Sequence, residues 1–153
     1  MLSDVQSDGS RLWRAAFRFQ YRILALVDHR VRGQWRRGGI GNIVELDVAR
    51  RDGRGMRNRL LGVLHADGKN YVGHPNGDVG WTHDLAAAGT GVIRYSNVVE
   101  WHFKATPVAD GAEREAVIRS TGQHPFPANL VYRLGRRHVR AVGVYFRLTD
   151  AAG

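Results

Sequence analysis

Arg50, Arg51, Arg54 and Arg57 crowd around Gly53, directly after an alternating segment. Guanidinium forks beside a glycine-bearing turn, with backbone amides open to a ligand, suit a phosphate diester, and the same composition also suits a solvated hairpin loop. A second group follows, Gly73, His74, Asn76 and Gly77, with Trp81 beyond it. His74 and Tyr132 are candidate proton donors, a role that needs hydrogen-bond reach to the reacting group. No dedicated catalytic acid or base is identified. The seven histidines include His65, His74 and His83, but no His-x-x-x-His or clustered carboxylate spacing accompanies them, so no metal site is expected. The chain contains neither a Gly-x-Ser-x-Gly elbow nor a Walker loop nor a Gly-x-Gly-x-x-Gly turn.

The elements that must position these residues begin with a helix over Arg11 to Arg32. At about 100° per residue, Trp13, Phe17, Leu24, Val27 and Val31 form one stripe, and Arg11, Arg14, Arg18 and Arg22 lie opposite. Such a helix lies on the protein's own core, on a partner, or on an anionic membrane surface; Trp13, Phe17, Arg14 and Arg18 are its candidate membrane or acceptor residues. Residues 1–10 read as a flexible amino terminus, residues 11–41 as this helix with an Arg/Gly-rich connector that ends the helical pattern, and residues 150–153 as a tail.

From Asn42 the chain reads as strands. Val44, Leu46 and Val48 alternate with Glu45 and Asp47, the period of a half-buried strand. Arg59 to Ala66 and Lys69 to His74 flank Asp67-Gly68, a hairpin dipeptide, and these three segments form a meander. Trp81 to Ala88 reads as a short helix ended by Gly89. Gly91 to Ser96 and Val98 to Thr106 suggest a second hairpin, with Val99, Trp101, Phe103 and Ala105 on its core side. Asp110 and Glu113 resemble a capping box opening a helix that runs to about Thr121, before Pro125 and Pro127. His138 to Leu148 is the last strand, apolar on both faces. Six strands over residues 42–149, the long helix and two short ones predict a mainly β, α+β fold: a six-stranded split β-barrel with helices packed outside.

The chain has 153 residues, 43% of them apolar, enough for one hydrophobic core. Its formal charge of +9 is almost wholly arginine and favours anionic partners. No cysteine is present, which excludes disulfides and thiolate chemistry. No uncharged apolar run of about 18 residues occurs, and the first ten residues do not resemble a signal peptide. The expected location is cytoplasmic, with peripheral contact at the inner face of the cell membrane. Nucleic acid is not an expected partner, because no recognised motif accompanies the basic charge.

The element order, with Val48-Ala49-Arg50-Arg51-Asp52-Gly53-Arg54, Trp81-Thr82-His83-Asp84-Leu85 and Glu113-Arg114-Glu115, resembles the deazaflavin-dependent nitroreductase and quinone reductase family of split β-barrel, FMN-binding-like proteins. The resemblance spans roughly residues 43 to 149 through short motifs. It implies a deazaflavin coenzyme, F-420, or alternatively FMN or no cofactor, and hydride transfer to a quinone, nitro compound or other hydrophobic acceptor. Arg50, Arg51 and Gly53 match the family's phosphate-binding turn, with Arg57 just beyond. Gly73, His74, Asn76 and Gly77 match the segment lining the deazaflavin ring, and Trp81 matches the family tryptophan. A homodimer is implied as well. Ala49 stands where the family has a glycine, Asp52 where it has serine or threonine, and Asp84 where it has asparagine. The stretch 78–80 is shorter and lacks the family's basic residues. A carboxylate at Asp52 opposes a phosphate beside it. The alternative function is a membrane-associated fatty-acid or lipid-binding barrel without redox activity, held by the cationic first helix.

Overall fold

The computed structural model describes residues 2–77 and 79–152, with side chains described from Ser10 onward. Asp78, in the short stretch noted above, lies outside the described residues. The elements are α1 (Leu2–Leu26), α2 (Asp28–Gly38), β1 (Ile43–Ala49), β2 (Met56–Gly62), β3 (Leu64–Ala66), β4 (Lys69–His74), α3 (Gly80–Ala88), β5 (Thr90–Arg94), β6 (Glu100–Pro107), α4 (Ala112–Ser120), α5 (Ala128–Leu134), α6 (Arg136–Val142) and β7 (Val144–Asp150). The fold is α+β. All seven strands join one antiparallel sheet in the order β2-β1-β5-β6-β7-β4-β3.

The two edge strands, β2 and β3, are consecutive in the chain and separated only by Val63. The sheet must therefore curl until its edges meet at that residue. The expected strand Arg59 to Ala66 is thus two strands at a corner, which raises the count from six to seven and replaces the expected three-strand meander. Inside the curl, Val44, Leu46 and Val48 of β1 pack with Val72, Ile93, Phe103, Phe146 and Leu148, and α3 closes this cluster with Trp81 and Leu85. Outside it, Leu64, Tyr71 and Tyr145 meet Phe17 of α1, Val117 and Ile118 of α4, Tyr132 of α5 and Val139 of α6. Strands β4 and β7 are consequently buried on both faces, as the apolar character of the last strand suggested.

Helical structure exceeds what the sequence pattern indicated. The first helix begins at Leu2, breaks at Val27 (φ −101°, ψ 6°), and resumes as α2 through Gly38. The Arg/Gly-rich connector is therefore helical to Gly38. Its anchor is Trp35, which is buried and donates Nε1–H to the Ile43 carbonyl at 2.9 Å, a tertiary contact that outweighs the low helix propensity of Gly33 and Gly38. Residues 138–142, expected to open the last strand, belong to α6, where His138 and Val139 are buried. Helix α5 was not anticipated. The capping box at Asp110 does not form; the N-cap is Gly111, and Glu113 instead accepts from Tyr71 Oη at 2.8 Å and Arg147 Nη1 at 2.9 Å. Among the described residues, no helix is long and apolar enough to cross a membrane.

Candidate functional site

Edge strand β2 carries the cationic part of the site. Arg57 and Arg59 pair with Val48 and Leu46, so they share a face with core residues. Because β2 has no neighbour on its far side, these side chains reach a cleft instead of a packed interior. The cleft narrows between β2 and β4, where Arg57, Arg59, Leu60, Leu61, Gly73, His74, Val79 and Trp81 surround about 220 Å³. Beyond Tyr21 it widens into a chamber of about 500 Å³ bounded by α1, α2, β2 and α5.

A row of aromatic rings runs along the cleft. Trp81 meets His74 edge-on at 6.5 Å between ring centres, His74 stacks on Tyr21 at 4.6 Å, and Tyr132 stacks on His124 at 4.6 Å. The two halves join where the Tyr21 and Tyr132 hydroxyls approach to 3.3 Å. Burial pushes the His74 and His124 imidazoles down to about 4, so both rings are neutral at pH 7. The Asn76 backbone N–H donates to His74 Nδ1 at 3.1 Å, which places the proton of the neutral ring on Nε2. Burial raises both tyrosines above their ordinary value, partly offset at Tyr21 by the hydrogen bond with Tyr132. Their hydroxyls stay protonated.

The arginine turn differs from the expected open cradle. Arg50 N–H donates to the Gly55 carbonyl at 2.9 Å, Gly53 N–H to the Arg50 carbonyl at 3.1 Å, and Arg54 N–H to Asp52 Oδ1 at 2.9 Å. Arg51 N–H donates to Asp84 Oδ1 at 3.2 Å. These four amides are occupied, so an anion here relies chiefly on the guanidinium groups. Asp52 is turned into its own loop, which holds its charge on the Arg54 amide.

Asp84, 1% exposed on α3, is the hub beneath the turn. Besides the Arg51 amide it accepts from Arg57 Nε at 2.5 Å, and the Arg51 guanidinium lies 3.7 Å away. Burial pushes its carboxyl up, but the hydrogen bond from Arg57, that from the Arg51 amide and the two positive charges outweigh it, and the net shift is below the usual carboxylate range. Gly80 leaves the space in which the Arg57 guanidinium lies, since a Cβ there would sit 3.1 Å from Nη1. Arg59 by contrast finds no carboxylate among the described residues, and its side chain donates only to the Asn58 carbonyl at 3.0 Å.

Of the residues singled out from the sequence, Arg57, Gly73, His74 and Trp81 line the narrow cleft together. Arg50, Arg51 and Gly53 stand at the exposed turn beyond it. Asn76 lies behind the cleft and clips α1 in place: its Nδ2 donates to the Arg14 carbonyl at 3.0 Å, its carbonyl accepts from Arg14 Nη1 at 3.1 Å, and its Oδ1 faces His138 Nε2 at 2.9 Å. Gly77 (φ +81°) presses against the Val142 carbonyl and has a packing role. On α1, Phe17 is fully buried, Trp13 half-buried against Gly135, and Arg14 tied to Asn76, so of the four candidate membrane residues only Arg18 is exposed. Sequence reasoning missed Tyr21, Arg59, His124 as a cleft residue, and Asp84 as an ion-pair hub. Tyr21 had a signal, four residues after Phe17 on the same helical stripe; His124 had none.

No protein-family model and no curated protein matches this sequence. Solved structures do match its fold. An F-420-H2-dependent reductase, FDR-A, superposes with a TM-score of 0.55 at 17% identity, covering 71% of this chain and 94% of that one. HutZ, the haem storage protein of Vibrio cholerae, gives 0.55 at 12% identity over 79% and 88% of the two chains. A conserved hypothetical protein, Rv2991, of Mycobacterium tuberculosis gives 0.54 at 11% identity over 72% and 73%. The chain thus shares the split-barrel fold of these proteins.

Proposed function

We propose that this chain is a split-barrel oxidoreductase that holds a flavin-type cofactor, the deazaflavin coenzyme F-420 in preference to FMN, and passes its hydride to a hydrophobic acceptor. The observation that carries the reading is the composition of the cleft: an aromatic-walled slot beside Trp81, His74 and Tyr21 that is bordered by Arg57 and Arg59, with the turn at residues 50–54 joined to it through Asp84, which accepts from both the Arg51 amide and Arg57. A planar ring system with a phosphate tail needs those two parts in that order. The guanidinium groups of Arg50 and Arg51 would hold the phosphate, and Arg57, fixed by Asp84, would border the ring. When bound, such a cofactor supplies the hydride.

The chain's own contribution is orientation, exclusion of water and placement of protons. His74 is neutral and offers an Nε2 donor, which can hydrogen-bond to developing negative charge without itself needing to gain a proton. Tyr21 and Tyr132 hold hydroxyl protons at the junction of the two halves of the cleft. Reduction of a quinone consumes one hydride and one proton, and these hydroxyls are candidates to relay that proton.

Anaerobic mixing of the protein, reduced F-420 and menadione tests the reading. Recovery of oxidised-coenzyme fluorescence faster than in buffer is expected, and a rate equal to buffer, with either coenzyme or FMN, would overturn it.

Of the four expected residues, a membrane role would keep Arg18 and otherwise rest on an outward stripe beside it. Leu12, Phe19, Ile23 and Leu26 lie within about 60° of one another on α1 and point away from the core, with Phe19 65% and Leu26 86% exposed. Arg11, Arg18 and Arg22 run along one flank of this stripe, where anionic headgroups would meet them. The lipid-binding alternative draws on the same region, because exposed Leu24 borders the wide chamber. Identification of co-purifying acyl chains by mass spectrometry would favour that alternative.

A further inference from the structure

The wide chamber beyond Tyr21 has features that the cofactor reading does not use. Its walls include the rings of Tyr21, Tyr132 and His124 with Leu24 and Leu61, and its volume of about 500 Å³ exceeds what one small ring system fills. The faces are held in place: His124 is stacked on Tyr132, and Asn42 Nδ2 lies 3.4 Å from His124 Nδ1. With Asn42 donating to Nδ1, the proton of the neutral imidazole sits on Nε2. Flat aromatic walls favour a flat ring over a flexible chain, which must lose rotamer freedom to fit.

Charge at the chamber is unbalanced in one direction. Asp28 is matched by Arg32, whose Nε lies 2.7 Å from its carboxylate, and Arg32 also reaches Glu45. Arg59, which borders both the chamber and the narrow cleft, has no such partner among the described residues. Partial burial, together with the nearby charges of Arg57, Arg50 and Arg32, lowers its affinity for its proton, and the Asp28 carboxylate, already paired with Arg32, offsets this only in part.

We propose that the chamber is a binding site for a flat aromatic acid, whose ring lies against Tyr21, Tyr132 and His124 and whose carboxylate or phenolate meets Arg59. As a binding site it stands apart from the oxidoreductase reading; as the place where the hydride acceptor sits, across Tyr21 from the cofactor, it rests on that reading.

The test uses the full chain without cofactor, so that its failure is distinguishable from failure to bind a flavin. Calorimetric titration with 2-naphthoate, 2-naphthamide and palmitate separates charge, ring and chain. The acid should bind about tenfold more tightly than the neutral amide, the difference expected of one partly screened charge-assisted contact. Arg59→Gln should abolish that preference while leaving the amide unchanged, and Arg59→Lys should restore part of it. Ala25→Trp, at the exposed rim, should weaken both aromatic ligands with the circular dichroism spectrum unchanged. Equal affinity for acid and amide, a preference that persists in Arg59→Gln, tighter binding of palmitate, or no binding of either naphthyl compound would each overturn the proposal.

Discussion

Replacement of Asp84 by asparagine separates the hub beneath the arginine turn from its surroundings with almost no change of shape. The carboxylate is fully enclosed and accepts from the Arg57 guanidinium at 2.5 Å and from the Arg51 amide at 3.2 Å. A hydrogen bond to a charged group contributes about 1.5 to 3 kcal/mol, and removal of one partner of a buried pair costs about 3 to 5 kcal/mol. Two features lower the cost here. Asparagine keeps an oxygen for the Arg51 amide, and the Arg57 side chain is one-fifth exposed and can rehydrate. The expected loss is therefore about 2 kcal/mol at pH 7, or about 4 to 8 °C in Tm. Urea unfolding followed by circular dichroism measures it. The sign with pH is fixed by the depressed carboxyl: its contribution is complete above the ordinary carboxylate range and is lost as pH falls through its lower folded value. The gap between wild type and Asp84→Asn should then close on acidification. Equal stability at pH 7, or a gap that does not close in acid, would refute the hub.

His74 and His124, held neutral with pKa values of about 4, bind fewer protons folded than unfolded. Their contribution, up to about 3 kcal/mol each, is present above about pH 6.5 and is lost as pH falls toward 4; His124→Phe should flatten that part of the stability profile. Gly73→Ala should cost about 2 kcal/mol or more in denaturant unfolding, because a Cβ there runs into the Tyr145 ring and lies 2.5 Å from the Val144 carbonyl. The two faces of α1 should separate cleanly: Phe17→Ala costs about 3 to 5 kcal/mol by opening a cavity, whereas Phe19→Ser changes stability by less than about 0.5 kcal/mol and weakens co-sedimentation with anionic vesicles. Vesicle binding that is indifferent to Phe19→Ser would remove the outward stripe from any membrane role.

Much of the sheet was legible because period-two alternation survives wherever one face is wet. Val44, Leu46 and Val48 are buried in β1 as their spacing required, and Asp67 and Gly68 both take the positive φ of a tight hairpin turn. Helix α3 and its left-handed cap at Gly89 were legible for the same local reason. What escaped was non-local. A stripe on α1 shows which residues are alike, not which side meets the core, so the outward set at Leu12, Phe19, Ile23 and Leu26 was not distinguished from the inward one. Residues 138–142 are apolar in both periods, and only Arg114 donating to the Val139 and Gly143 carbonyls, with burial of His138, identifies a helix there. Asp84 and Arg51 meet across 33 positions, and four amides of the arginine turn are occupied by bonds that composition cannot indicate.

The measurement that bears most directly on the proposed function is a fluorescence titration of the purified protein with oxidised F-420, with FMN as comparator and with the double variant Arg50→Ala, Arg51→Ala in parallel. Micromolar binding of the deazaflavin is expected, with weaker binding of FMN and a loss of about 1 to 3 kcal/mol in the variant as the charge-assisted phosphate contacts disappear. Failure of both flavins to bind, or identical affinity in wild type and variant, would contradict the proposed function.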